Sequence, residues 1–322
     1  MSGLKMTGVV SLAIAAVTAC GATGDKPAFM AKTSNEFNPD SAMSYIKQQV
    51  AFGPRIPGSA ASTKTGDWIV ARLKQTADTV LEQRWTHTLA TGKTIPMRNI
   101  FARFKPNAKD RVLYVTHWDT RPMADSDPIP ANRTKPFDGA NDGASGVALQ
   151  LAVADALKKV PSTYGVDLLF VDGEDWGTFG PPNVDVLIGS TYFAEHLPNP
   201  GYAPLFGVLW DMIGDADLDI YQEINSAQAA PEVVQKVWGT AKDMGYEKYF
   251  IPQARDAIID DHLPLIKAGL RVIDVLDIDY GQRDATGVVT TNYHHTLGDT
   301  MDHVSAKSMK IVGDVAIALL RP

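Results

Sequence analysis

The chain of 322 residues contains a single cysteine, Cys20, and no cluster of lysine and arginine. One cysteine excludes a disulfide within the chain and a zinc site built from thiolates, so any metal must be held by histidine and carboxylate side chains. The formal net charge of −7 gives no electrostatic footprint for nucleic acid and slightly disfavours anionic membrane surfaces. We therefore expect small molecules or peptides as partners, and no nucleic acid.

The apolar run near the N-terminus, residues 7–19, is too short to span a bilayer. It follows Lys5 and has the length of the apolar part of a signal peptide. The run ends in Val-Thr-Ala-Cys-Gly at positions 17–21, which resembles a bacterial lipobox. We predict a lipoprotein signal peptide at 1–20 and a flexible tether at 21–37. The protein would then be exported to the bacterial cell envelope, facing the periplasm and attached to the membrane only through a lipid on Cys20. The alternative is an ordinary secretory signal in which Cys20 is incidental.

From residue 38 onward the sequence predicts one domain, 38–322, without an internal repeat. Helical and strand patterns alternate, which is typical of a three-layer α/β/α fold. We expect a mixed sheet with a parallel centre and functional loops at the carboxyl ends of its strands. The predicted helices follow Asn38 and lie near 62–77, 144–159, 232–244, 263–268 and 305–320, and the predicted strands lie at 79–88, 97–104, 112–116, 166–171, 205–210 and 272–276.

Acidic and histidine residues cluster where these strands end. Glu174 and Asp175 directly follow the glycine after the apolar strand 166–171. Adjacent side chains on an extended segment point in opposite directions, so we expect one of these carboxylates to be a metal ligand and the other an acid or base. Similar clusters are His117-Trp118-Asp119, Asn141-Asp142-Gly143, Trp210-Asp211 and His294-His295-Thr296.

Two of these clusters also have simpler explanations. His117 and Asp119 face the same side of a strand, so Asp119 either orients a ligand imidazole or satisfies a buried histidine. Asp142 precedes a helix and is either its N-cap or part of a loop whose glycines let the backbone approach a bound group. Trp118 and Trp210 are expected to point away from the site and into the core.

The order of these motifs resembles the M28 family of zinc peptidases, which includes glutaminyl-peptide cyclotransferases. The likeness covers residues 38–322 and extends, more narrowly, to bacterial members of the animal-type glutaminyl cyclases. It implies the fold of zinc-dependent exopeptidases and an enzyme that converts the N-terminal glutamine of peptides or proteins to pyroglutamate with release of ammonia. The motifs that carry it are His117-Trp118-Asp119, the glycine-rich loop 139–146, Glu174-Asp175-Trp176-Gly177, Trp210-Asp211-Met212, Asp260-Asp261-His262 and His295-Thr296.

The resemblance implies that Asp142, Asp175 and His295 bind zinc. Two carboxylates and one imidazole leave an open coordination position for substrate, as a catalytic zinc requires. In the two-metal aminopeptidases of the family, His117 and Asp211 bind a second zinc that shares Asp142. One zinc per chain is expected, and two zinc ions are the alternative.

The same resemblance makes Glu174 the general acid and base. Asp260 distinguishes the cyclases, which use an acid there to hydrogen-bond the catalytic glutamate and, together with the equivalent of Asp211, to form a proton-handling network. A zinc aminopeptidase that removes N-terminal residues is the alternative activity. A peptide-binding lipoprotein without catalysis is a further alternative, although such relatives usually lose ligands that this chain keeps.

Two positions depart from the family pattern. His294 stands where the family commonly has a tryptophan that walls the substrate pocket, so we expect His294 in the pocket and His295, which Thr296 follows, as the ligand. Asp175 stands where animal cyclases have glutamate, and its shorter side chain still ligates zinc. Trp176 is also predicted to line the pocket.

Overall fold

The computed structural model describes residues 1, 3 and 35–321. The predicted signal peptide, apart from residues 1 and 3, and the predicted tether up to residue 34 lie outside the described residues. The residues from 35 onward belong to one compact unit. Within this described part of the chain, no helix combines the length and the apolar character needed to cross a membrane.

Eight α-helices and ten strands follow one another along residues 35–321. Several helices begin at the side-chain caps that the sequence suggests: Asn38 accepts from Ser41 N at 3.1 Å, and Ser59 accepts from Ser62 N at 3.0 Å. In chain order the elements are α1 (Pro39–Phe52), α2 (Ala60–Leu73), β1 (Thr79–Thr88), β2 (Thr94–Phe104), β3 (Arg111–His117), α3 (Ala144–Lys159), β4 (Gly165–Val171), α4 (Ile188–Glu195), β5 (Phe206–Asp211), β6 (Ile220–Gln222), α5 (Ile224–Ala229), α6 (Pro231–Asp243), β7 (Phe250–Ala254), α7 (His262–Lys267), β8 (Val272–Leu276), β9 (Gly281–Arg283), β10 (Val289–Asn292) and α8 (Ala306–Ala318).

The main sheet has six strands in the order β1-β2-β4-β3-β5-β8. Strand β2 pairs antiparallel with both β1 and β4, whereas the pairs β3–β4, β3–β5 and β5–β8 are parallel. The sheet is therefore mixed with a parallel centre, as predicted. Because β3, β4, β5 and β8 run in the same direction, their carboxyl ends meet at one edge.

Helices cover both faces of this sheet. Along β3, Val112 and Tyr114 pack into a large core with α1, α2, α3, α6 and α8. The alternate residues, Leu113 and Val115, pack into a smaller core on the opposite face with Phe193 of α4 and Leu265 of α7. In a three-layer fold each central strand must be apolar on both sides, because helices cover both faces of the sheet. The two cores on either side of β3 therefore confirm the three-layer prediction.

Most predicted elements are confirmed to within two or three residues, but one helix boundary was wrong. The second helix ends at Leu73 and not near Ala77, because the chain turns back and the amide of Ala77 donates to the carbonyl of Leu73. The short elements α4, α5, β6, β7, β9 and β10 were not predicted, since segments of three to eight residues carry little periodic signal.

Candidate active site

The loops at the carboxyl ends of the central strands enclose a cavity of ≈ 440 Å³. Seven of the nine residues predicted to form the site line this cavity. His117 lies behind them at the end of β3, in contact with two of them. The seven lining residues are Asp142, Glu174, Asp175, Asp211, Asp260, His294 and His295.

Glu174 and Asp175 lie on a tight turn and not on an extended segment. Strand β4 ends at Val171, and Gly173 has a φ of +69°, a conformation that favours glycine. The expectation that the two carboxylates point in opposite directions was therefore wrong, because the turn brings both to the cavity. Their different roles must come from their different neighbours.

Asp119 holds this turn in place. Its two carboxylate oxygens accept hydrogen bonds from the backbone amides of Glu174 at 3.2 Å and Asp175 at 3.3 Å. Asp119 Oδ1 also lies 3.5 Å from Nδ1 of His117. Asp119 thus connects the end of β3 to the catalytic turn after β4, besides facing the imidazole as the sequence suggested.

Asp142 is not the N-cap of α3, so this alternative was wrong. The capping position belongs to Gly143, where no side-chain cap forms, and a side chain there would collide with the ring of His117. The Asp142 loop is held from the opposite side. Asp299 accepts from the amides of Asn141 at 2.7 Å and Asp142 at 3.1 Å, while Arg55 donates to the carbonyl of Asp142 at 3.2 Å. The side chain of Asp142 is thereby available to a metal.

Asp142, Asp175 and His295 form a group that fits a zinc ion. Nε2 of His295 lies 3.0 Å from Asp175 Oδ2 and 3.4 Å from Asp142 Oδ2. Both of these oxygens are buried, and neither has a hydrogen-bond partner among residues 35–321. Buried oxygens without partners are unfavourable, and carboxylate oxygens that converge with an imidazole nitrogen are the ligands zinc takes in proteins.

Arg121 supports this group, although the sequence analysis did not identify it. Its guanidinium donates to Asp175 Oδ1 at 3.0 Å, which leaves Asp175 Oδ2 for the metal. It also forms a bidentate pair with Asp125 at 2.7 and 2.6 Å. Partners of this kind orient metal ligands. A signal was present in the sequence, because Arg121 lies two residues beyond Asp119 and four beyond His117.

A second group of possible metal ligands shares Asp142. Nε2 of His117 lies 3.0 Å from both Asp142 Oδ1 and Asp211 Oδ1, and the ligand atoms of the three residues all lie within 4.8 Å of one another. Burial lowers the pKa of His117, but Asp211 and the carboxylates next to it raise it well above its usual value. The three residues can therefore hold either a proton or a second metal between them.

Glu174, Asp211 and Asp260 form an acidic cluster among the residues that line the cavity. Burial, and next the charges of Asp175 and Asp260, raise the pKa of Glu174 well above its usual range. Burial and the charge of Asp211 likewise raise the pKa of Asp260. Carboxyl groups that retain protons near neutral pH are suited to proton transfer.

His294 lines the cavity, whereas Trp176 is not among the residues that line it. The loop after Trp176 folds back on itself through two backbone hydrogen bonds between Thr178 and Val184, and Phe179 is the aromatic residue of this loop that reaches the cavity. Burial and the neighbouring His295 lower the pKa of His294 to about 3, so its imidazole is neutral. The remaining wall is largely apolar and includes Ala257, Ile258, Ile259, Leu276 and Ile278. Trp118 and Trp210 are buried in the core, as predicted.

The fold and the site together define a zinc-dependent exopeptidase-like protein, with carboxylate and imidazole ligands at the carboxyl edge of a mixed sheet. Residues 99–320 match the sequence pattern of the family described as Peptidase family M28. The match covers more than half of the chain, and the chain belongs to this family. The family and its structural neighbours imply zinc as the metal.

Solved structures extend the likeness over nearly the whole domain. A glutaminyl cyclase from Porphyromonas gingivalis is 38% identical, with a TM-score of 0.83 over 89% of this chain and 99% of that chain. A Zn-dependent exopeptidase from Parabacteroides distasonis is 36% identical, with a TM-score of 0.81 over 88% of this chain and 98% of that chain.

Curated relatives are more distant. Aminopeptidase YwaD from Bacillus subtilis is 24% identical over 282 residues, which are 84% of this chain and 53% of that protein. The chain spans about half the length of the curated relatives that it matches. The likeness to these relatives thus leaves about half of each of them unmatched.

Proposed function

We propose that the protein is a glutaminyl-peptide cyclotransferase that converts the N-terminal glutamine of peptides or proteins to pyroglutamate and releases ammonia. The observation that carries this proposal is the position of Asp260, which shares the cavity wall with Glu174 and Asp211 and raises the pKa of Glu174. The likeness to the glutaminyl cyclase from Porphyromonas gingivalis supports it.

The reaction requires one proton to move between two nitrogen atoms of the substrate. The α-amine attacks the γ-carbonyl carbon, the new ring C–N bond forms, and the bond to the amide nitrogen breaks. Glu174 takes a proton from the amine and delivers it to the departing nitrogen, which leaves as ammonia. The charge of Asp260 keeps the proton affinity of Glu174 high enough for both transfers, and Asp211 in turn raises the pKa of Asp260.

Asp142, Asp175 and His295 would hold the metal on the opposite side of the substrate. When bound there, zinc supplies a Lewis acid for the γ-carboxamide. The acidic wall attracts the positively charged amino terminus, and the apolar residues around Ile258 and Ile259 suit an uncharged side chain. This arrangement favours glutamine over glutamate or lysine at the N-terminus.

An M28 aminopeptidase is the second candidate. It is favoured by the convergence of His117, Asp142 and Asp211, which can accept a second metal. Glu174 would then activate a water molecule, and the products would be a free amino acid and a shortened peptide.

Parallel assays on purified enzyme distinguish the two activities. We expect ammonia and a pyroglutamyl product from glutaminyl peptides, no release from a leucyl arylamide, and about one zinc per chain by elemental analysis. Steady release of leucine by an enzyme with two zinc ions per chain would replace the cyclase with the aminopeptidase and leave the ligand assignments intact.

We also propose that the protein is exported and anchored through a lipid on Cys20. The short apolar run and the lipobox-like sequence at positions 17–21 support this location. In a bacterial host, wild-type protein should fractionate with membranes and incorporate labelled fatty acid, whereas Cys20→Ser should do neither. Release of the unlabelled wild-type protein into the soluble periplasm would favour the ordinary secretory signal.

A further inference from the structure

His294 and His295 present their imidazoles to the same place. Neighbouring residues on an extended segment would point apart, but His295 has a φ of +54°, in the left-handed region that histidine adopts more readily than most residues. The two ring centroids are only 3.7 Å apart, with 41° between the ring planes. A conformation this uncommon is often kept where a site requires it.

Both rings approach the same carboxylate oxygen. Nε2 of His294 lies 3.8 Å from Asp142 Oδ2, and Nε2 of His295 lies 3.4 Å from that atom. The ligand atoms of Asp142, His294 and His295 all lie within 4.8 Å of one another. Asp142 Oδ2 is buried and has no hydrogen-bond partner within residues 35–321, so it accepts a cation without losing another contact.

The imidazole of His294 is the more exposed of the two. Its side chain is 29% exposed, compared with 10% for His295. Within residues 35–321, neither ring nitrogen of His294 forms a hydrogen bond, although its backbone amide donates to Asn292 Oδ1 at 2.8 Å. The backbone is thereby fixed while the imidazole remains available to a ligand.

We propose that His294 is a fourth protein ligand of the zinc held by Asp142, Asp175 and His295 when no substrate is bound. Four ligands complete the tetrahedral coordination that zinc prefers, and the partly exposed His294 is the one that substrate can replace. The proposal depends on the zinc assignment and not on which reaction the enzyme catalyses.

Zinc affinity of the substrate-free enzyme tests this role. Apo-protein is titrated with zinc against a chromophoric chelator, using wild type, His294→Ala and His294→Phe, with His196→Ala as an exposed control. Phe keeps an aromatic ring against His295 but has no ligand nitrogen. We expect both His294 variants to retain the site but to bind zinc roughly tenfold or more weakly, and the control to be unchanged.

A second measurement reports coordination directly. Cobalt(II) in a four-coordinate site absorbs visible light more strongly than cobalt(II) with water in additional positions. The cobalt-substituted wild type should show the strong bands, and both His294 variants should show weaker ones. Thermal unfolding of the apo-proteins verifies that each variant is folded.

Two outcomes would overturn the proposal. If His294→Ala binds zinc as tightly as wild type and has the same cobalt spectrum, His294 is only a pocket wall. If His294→Phe restores the affinity that His294→Ala loses, the ring acts by packing against His295 and not as a ligand. If His294→Phe does not fold, the cobalt spectrum of His294→Ala separates the loss of a ligand from the loss of packing. If His294→Ala does not fold, the zinc affinity and cobalt spectrum of His294→Phe decide.

Discussion

Two groups of residues that line the cavity carry carboxylates in different electrostatic settings. We call Asp142, Asp175 and His295 the metal wall, and Glu174, Asp211 and Asp260 the acidic wall. On the metal wall, Asp175 is paired with Arg121, and Asp142 lies against His117 and His295. On the acidic wall, no lysine or arginine among residues 35–321 forms an ion pair with Glu174, Asp211 or Asp260, and burial raises the pKa of each.

This difference separates two kinds of chemistry. Although burial opposes it, the contact with His117 and then the charge of His295 hold the pKa of Asp142 below its usual range. A carboxylate of that kind stays ionised and binds a cation. Burial raises the pKa of the carboxyl groups of the acidic wall, which suits them to proton transfer. Glu174 belongs to the acidic wall but directly precedes Asp175 of the metal wall, and the charges of Asp175 and Asp260 both raise its pKa.

The largest effect should come from removing the metal or one of its predicted ligands. Removal of zinc by a chelator should abolish activity, and added zinc should restore it. His295→Ala should lose both zinc and activity, whereas the exposed His196→Ala should lose neither. Elemental analysis and turnover of the same samples measure the two properties. Retention of zinc by His295→Ala, together with its loss in His294→Ala, would show that the principal ligand is His294.

Glu174→Gln should remove the group that transfers the proton and leave the metal in place. Gln has nearly the same shape but cannot exchange a proton, so turnover should fall by roughly a hundredfold or more. Zinc content and thermal stability should remain close to those of wild type. Turnover near the wild-type level in this variant would remove Glu174 from the proton transfer.

Asp260→Asn tests the acidic wall alone. The charge of Asp260 raises the pKa of Glu174, so its removal should lower that pKa and reduce turnover roughly tenfold or more. The acidic limb of the pH profile of kcat should shift to lower pH, because Glu174 then loses its proton at lower pH. Zinc content should not change. The exposed Asp243→Asn is the control, and a loss of zinc in Asp260→Asn would place Asp260 on the metal wall instead.

The carboxylates that end or follow strands could be predicted as site residues, because a short apolar run stops there and polar residues follow. Glu174 and Asp211 stand at such points, whereas Asp142 lies in the glycine-rich loop before α3 and was assigned through the family resemblance. The turn geometry could not be predicted, since the sequence shows Gly173 but not its φ of +69°. At this turn both Glu174 and Asp175 reach the same cavity.

The residues that support the ligands were missed for a different reason. Arg55 is separated from the Asp142 loop by more than eighty residues, and Asp299 by more than one hundred and fifty. Their roles depend on tertiary contacts that no local pattern records. Arg121 is the exception, because its spacing from His117 and Asp119 placed it near the site.

The smallest effect should come from weakening the metal wall at Arg121. Its guanidinium lowers the pKa of Asp175, which burial otherwise raises. Arg121→Ala should therefore raise the pKa of Asp175 and weaken zinc binding by roughly tenfold, the scale found for partners of metal ligands. Because protons then compete better for Asp175, the loss of zinc affinity should be greater at pH 6 than at pH 8.

Arg121→Lys and Arg84→Ala complete this test. Lysine keeps the charge but cannot donate to Asp125 and Asp175 in the bidentate geometry of arginine, so it should recover only part of the affinity. Arg84 is an exposed arginine that pairs with Glu82, and its removal should leave zinc binding unchanged. Competition titrations of the variants with a chromophoric chelator at two pH values give the comparison. An affinity loss in Arg121→Ala that is equal at both pH values would mean that Arg121 only positions Asp175 and does not hold it ionised.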